Sequence, residues 1–159
     1  LTFSTDDLFY YSHHTILCRG GYYFVNDYGM QTSILSRFGI RNHSVKGRDY
    51  IFRNGDEHDY RYENVCVINK YNGVNKIEKN GRTFFQSRIH INGNYIIGIY
   101  KSENEAAIAY NKVVDILENI QSVSYTKNYI EDMSYITYAS IYNSIKISKK
   151  LTEYIEGLK

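Results

Sequence analysis

Ser102-Glu103-Asn104-Glu105 constrains this chain more than any other four residues. Serine at a helix N-cap with glutamate three positions later satisfies two of the N–H groups left unpaired at the start of an α-helix, so a helix begins here. Beyond it Ala106, Ala107, Ala109, Tyr110, Val113, Val114 and Leu117 recur at helical spacing on one broad face, which needs an apolar surface to pack against. That surface lies immediately upstream. Three short strand-like runs fill 71–100, and two of them flank Ile91-Asn92-Gly93-Asn94, a hairpin signal. The pattern predicts a three-stranded antiparallel sheet packed on one helix over 71–119.

The flanking segments read less sharply. Leu8-Phe9-Tyr10-Tyr11 is an apolar, aromatic opening, and Gly20-Gly21 precedes the β-favouring run Tyr22-Tyr23-Phe24-Val25, which ends in the turn Asn26-Asp27-Tyr28-Gly29. A hairpin is expected there. Residues 32–38 form one or two helical turns ending at Gly39, and Lys46-Gly47-Arg48 is a loop. Residues 49–53 make a strand closed by the tight-turn dipeptide Asn54-Gly55. In 120–159, Ile130, Met133, Ile136, Ile141, Ile145, Leu151 and Ile155 suggest one or two more helices, with Lys146, Lys149 and Lys150 on a solvated side. That segment is a helical cap or an oligomer contact. The class is α+β in three parts, 1–70, 71–119 and 120–159.

At 159 residues with 43% hydrophobic content, two small domains can each bury a core without staples. The 18 tyrosines, with no tryptophan or proline, fit an A+T-rich genome or a tyrosine-rich contact surface. Cys18 and Cys66 form no CxxC pair, which argues against a zinc or redox motif; two free thiols in a reducing cytoplasm are expected, with a single bridge in an oxidising compartment as the alternative. No apolar run approaches a membrane span and no signal-peptide pattern opens the chain, so the expectation is a cytoplasmic protein of a bacterial host cell with no membrane association. No cofactor is indicated. Charge is evenly spread: eight basic against eight acidic residues in 1–70, six against five in 71–119, five against four in 120–159. A duplex-gripping surface must therefore be gathered by folding, not by a basic tract.

The stretch 71–117 resembles the APETALA/ethylene-response-factor type of DNA-binding domain, on Gly73-Val74, Phe85-Gln86-Ser87-Arg88-Ile89, Ile97-Gly98-Ile99-Tyr100 and Glu105-Ala106-Ala107-Ile108-Ala109-Tyr110. The resemblance covers about a third of the chain. In such domains the sheet enters the major groove, with arginines and tryptophans on bases and phosphates. Here three of those arginines are Asn72, Asn75 and Ile77, the second-strand tryptophan is Phe85, and the third strand offers Tyr95 and Ile96. The resemblance implies Lys76, Lys79, Arg82 and Arg88 as phosphate contacts and Asn72, Asn75 and Gln86 near bases. Each arginine–guanine pair carries about 1–3 kcal/mol of discrimination, whereas asparagine pairs with the N6/N7 edge of adenine, so the implied partner is double-stranded DNA, A+T-rich if it is selected at all.

Residues 49–65, DYIFRNGDEHDYRYENV, resemble the HNH homing-endonuclease motif, on Asn54-Gly55, Asp59-Tyr60-Arg61 and Glu63-Asn64-Val65. The resemblance implies a degenerate ββα unit in 1–70 of phage or mobile-element origin. Hydrolysis by that family needs a histidine base and a neighbouring metal ligand, and the aligned positions are Phe52 and Ile51. A downstream metal-binding helix would fall near Asn69 or Asn72. His58 lies in the spacer, His90 on a strand, and His13-His14, Asn26 and His43 lack the motif's context. The expectation is a non-cleaving, nucleic-acid-binding relative of a nuclease. The alternative is a protein-binding inhibitor of a host nuclease or nuclease–RNA complex, of the anti-CRISPR kind. An active metal-dependent endonuclease ranks last.

Overall fold

The computed structural model describes residues 1–121 and 124–159. The chain divides into two compact units, 1–70 and 71–159. The class is α+β, with four α-helices and several small sheets among the described residues.

In the first unit, β1 (Thr2–Phe3) is followed by α1 (Thr5–Ser12). The aromatic opening is thus helical, and Tyr11 stacks on Phe3 with ring centroids 4.2 Å apart. The expected hairpin is a three-stranded meander of β2 (Ile16–Arg19), β3 (Tyr22–Asp27) and β4 (Met30–Ser33). Its two turns are Gly20-Gly21 and Tyr28-Gly29, each with positive φ at both residues, the geometry that follows the twist of paired strands. A 3₁₀ turn, Ile34–Phe38, is capped by the Ser33 hydroxyl and stops at Gly39 in the left-handed conformation, as the sequence predicts. β5 (Tyr50–Phe52) pairs antiparallel with β7 (Val65–Val67), while β6 (Asp59–Tyr60) pairs parallel with β1. Phe3, Tyr11, Val25, Ile34, Ile40, Tyr50, Tyr60 and Val65 form the core.

The ββα order expected of residues 1–70 does not form. The chain does turn at Asn54-Gly55, with the Gly55 N–H on the Phe52 carbonyl, but the next strand, β6, pairs with β1 and not back with β5. After β7, Ile68 and Asn69 give both backbone N–H groups to the Asp49 carbonyl. Asn69 Nδ2 reaches the Arg48 carbonyl and Asp49 Oδ1, each at 3.1 Å. Residues where a metal-binding helix would begin are spent holding a buried aspartate.

The second unit matches the prediction closely. β8 (Val74–Lys79), β9 (Arg82–His90) and β10 (Asn94–Tyr100) form an antiparallel sheet in the order β10-β9-β8. The turns are Asn80-Gly81 and Asn92-Gly93. α2 (Glu103–Glu118) begins at the expected cap, with Ser102 Oγ accepting from the Glu105 N–H at 3.0 Å. Its burial extends further than a single stripe, to Ile108 and Asn111: α3 (Tyr135–Ser144) packs against it, and α4 (Lys149–Glu156) packs on β10 in the same core. Ile130, Leu151 and Ile155 join the core beneath the sheet, so residues 120–159 complete this unit. Ile136 instead is 81% exposed. No helix among the described residues is long and apolar enough to cross a membrane.

Candidate nucleic-acid interface

Residues directly opposite each other in paired strands share a face, so register decides which side chains of 71–100 meet. Val74 opposite Ser87, and Lys76 opposite Phe85 opposite Tyr100, lie on the α2 side. The other face carries Lys79 opposite Arg82, Ile77 opposite Phe84, Asn75 opposite Gln86 opposite Ile99, and Arg88 opposite Ile96. A bulge between Ile96 and Gly98 turns both Ile96 and Ile99 onto this second face, where they are 51% and 47% exposed. Ile97, the extra residue, is fully buried.

Five of the seven expected contact residues therefore share one face: Asn75, Lys79, Arg82, Gln86 and Arg88. Asn75 and Arg88 are coupled. With its amide turned to accept, Asn75 Oδ1 takes Nε and Nη2 of Arg88 at 3.2 Å each. This holds the guanidinium over the sheet and leaves the Asn75 NH₂ as a donor. Glu78, the one carboxylate in the three strands, sits opposite Thr83 on the α2 side. The face combines three cations, two amides and four apolar side chains with no strand carboxylate.

Two expected contacts are misplaced. Lys76 is one residue from Asn75, and β-strand alternation sends it to the α2 side. Asn72 is structural: its backbone N–H and carbonyl bond the Asn128 side chain, and its Nδ2 donates to the Thr126 carbonyl at 3.0 Å. Asn128 in turn exchanges hydrogen bonds with buried Asn111, whose Nδ2 also reaches the Tyr138 hydroxyl. These asparagines fasten residues 126–130 to α2 and to the start of β8. Ile77, Phe84, Ile96 and Ile99 were missed as parts of the face; period-2 alternation finds the first two, but the bulge hides the others.

The nuclease-like stretch of the first unit is a closed polar knot. Asp59 is buried and accepts from Arg61 Nε and Nη2, from the Arg61 N–H and from Asn54 Nδ2. The Arg61 fork, first among these partners, holds its carboxyl down at about 2. Asn64 receives the Asn54 N–H and donates to the Asp59 carbonyl. The Asp59–Arg61–Asn64 spacing thus builds a loop. Ile51 pairs across the ladder with Cys66, and Phe52 packs edge-on against Tyr50 and Tyr60; neither offers a base or a ligand. His58 is exposed, 3.4 Å from Asp56. His14 bonds the Tyr10 carbonyl through Nδ1, and His13 sits edge-on to Phe9. Among the described residues no three His, Cys, Asp or Glu side chains are placed to hold a metal ion.

Comparison with known proteins places the chain in no family: no family model matches it, and no curated protein or solved structure shows significant similarity.

Proposed function

We propose that the chain binds double-stranded DNA through the exposed face of the β8–β9–β10 sheet and does not cleave it. One observation carries this reading: Lys79, Arg82 and Arg88 lie along one face of the sheet without a strand carboxylate, although the sequence around them is nearly neutral. Asn75 preorients Arg88, and Gln86 lies between them and the apolar Ile99. The lack of a base or ligand at Phe52 and Ile51 supports binding without hydrolysis.

The test is fluorescence anisotropy of the full chain on random and A+T-rich duplexes at 50 and 200 mM salt. Three phosphate contacts give a slope of log K against log salt of about −2.7, hence a roughly 40-fold weakening over that range. Arg82→Ala lowers the slope by about 0.9. A second reading, capture of a host nuclease or nuclease–RNA complex, is favoured by exposed Ile96 and Ile99. It requires salt-tolerant binding to a protein and negligible affinity for free duplex, which is the result that overturns the first.

A further inference from the structure

Resting on that reading, we infer that the sheet selects A·T pairs by contacting the thymine C5-methyl group, with Ile96 and Ile99 as the discriminating residues. The cations explain attraction to phosphate, but they leave unexplained why two isoleucines of the edge strand β10 project from the same face. Ile96 is 51% and Ile99 47% exposed, and each is directly opposite a hydrogen-bonding side chain, Ile96 opposite Arg88 and Ile99 opposite Gln86. Opposed Cβ atoms in a ladder lie about 4.5–5.5 Å apart, so each pair offers one polar and one apolar tip side by side.

An A·T pair offers that combination in the major groove. Adenine presents the N7 acceptor and N6–H donor, and thymine presents O4 and a methyl. A glutamine amide complements the adenine edge in two hydrogen bonds, and Gln86 makes no side-chain hydrogen bond among the described residues. Its neighbour Ile99 then meets the methyl of the paired thymine. Arg88, held by Asn75, donates to a flanking phosphate while Ile96 meets a second methyl. A guanine–cytosine pair puts only cytosine C5–H against the isoleucine and replaces the O4 acceptor with an N4 amino donor. The bulge is what makes the arrangement: by inserting Ile97 into the core it puts Ile96 and Ile99 on one face despite their odd spacing.

The test uses two duplexes of one A+T-rich sequence, one with thymine and one with deoxyuridine throughout. They have equal charge and equal pairing, and differ only in the methyl groups. With the full chain at 50 mM salt, burying one methyl is expected to contribute about four-fold in affinity, and two about 15-fold. Ile96→Ala and Ile99→Ala each shrink the thymine-to-uracil ratio and leave the salt slope unchanged; both residues are exposed, so folding is unaffected. Arg82→Ala weakens both duplexes equally. Equal binding of the two duplexes, with a steep salt slope, overturns the methyl contact and leaves DNA binding standing. Absence of binding to either duplex, with or without capture of a protein on the same face, overturns both.

Discussion

Gly73 offers a sharp quantitative test of the second unit because Gly81 is its internal control. The two glycines have nearly identical backbone angles, φ of +74° and +73°, in a region where an alanine Cβ costs about 1–2 kcal/mol. Part of that cost is offset because alanine stiffens the unfolded chain, by about 0.4–1 kcal/mol. Their surroundings differ. A Cβ at Gly81 meets no other atom within 4 Å, whereas at Gly73 it falls 2.4 Å from the Arg88 carbonyl oxygen and 2.4 Å from Tyr110 Cδ2. Forcing a methyl into such a site costs about a further 1–3 kcal/mol. Gly81→Ala is therefore expected to cost about 1 kcal/mol and Gly73→Ala about 2–4. At a urea dependence of about 2 kcal/mol per molar, the unfolding midpoints fall by about 0.5 M and 1–2 M. Because the chain has two compact units, unfolding is followed by hydrogen exchange of peptides from 71–100 as well as by circular dichroism. Equal losses for the two variants would falsify the close approach of Gly73 to Tyr110. Since the Arg88 N–H donates to the Gly73 carbonyl, Gly73→Ala also displaces Arg88 and weakens duplex binding, whereas Gly81→Ala spares Arg88.

Leu151→Ala, at a position 1% exposed in the shared core, is expected to cost about 2–5 kcal/mol, measured by urea unfolding; a loss under 1 kcal/mol means the last helix is not part of the fold. Asn72→Ala removes a hydrogen bond to residue 126 and loosens the Asn128 clasp, with an expected loss of about 1–3 kcal/mol. Its DNA salt slope stays at the wild-type value, and a slope change would return Asn72 to the interface. Asp59 titrates lower in the folded chain, at about 2, than its unfolded value near 3.9. Its contribution is complete above about pH 4 and disappears as pH falls toward 2. Asp59→Asn is therefore expected to flatten the decline in melting temperature between pH 4 and 2; a parallel decline in both proteins refutes the assignment.

Legibility followed locality. The capping box, the Asn92-Gly93 turn and the stop at Gly39 were readable because a few adjacent residues decide them. The Lys76 error was also local, since alternation alone separates it from Asn75. The ββα expectation failed for a different reason. Asp59, Arg61 and Asn64 do stand at the motif's spacing, but the same side chains serve a hydrogen-bonded loop equally well, and spacing does not distinguish ligation from loop closure. Helix α1 was missed because eight residues with Asp6 and Asp7 in the first turn give little periodicity to read.

By itself, the amino-acid order determined a sheet-and-helix unit over 71–119, its turns and cap, and the absence of a base or ligand at positions 51 and 52. Tertiary structure alone decided that Asn72 belongs to a clasp, that 120–159 closes the core, and that two isoleucines face outward with Arg88 and Gln86. Those outcomes depend on strand register, a bulge and partners 46 to 56 positions away along the chain, which periodicity within one element does not specify.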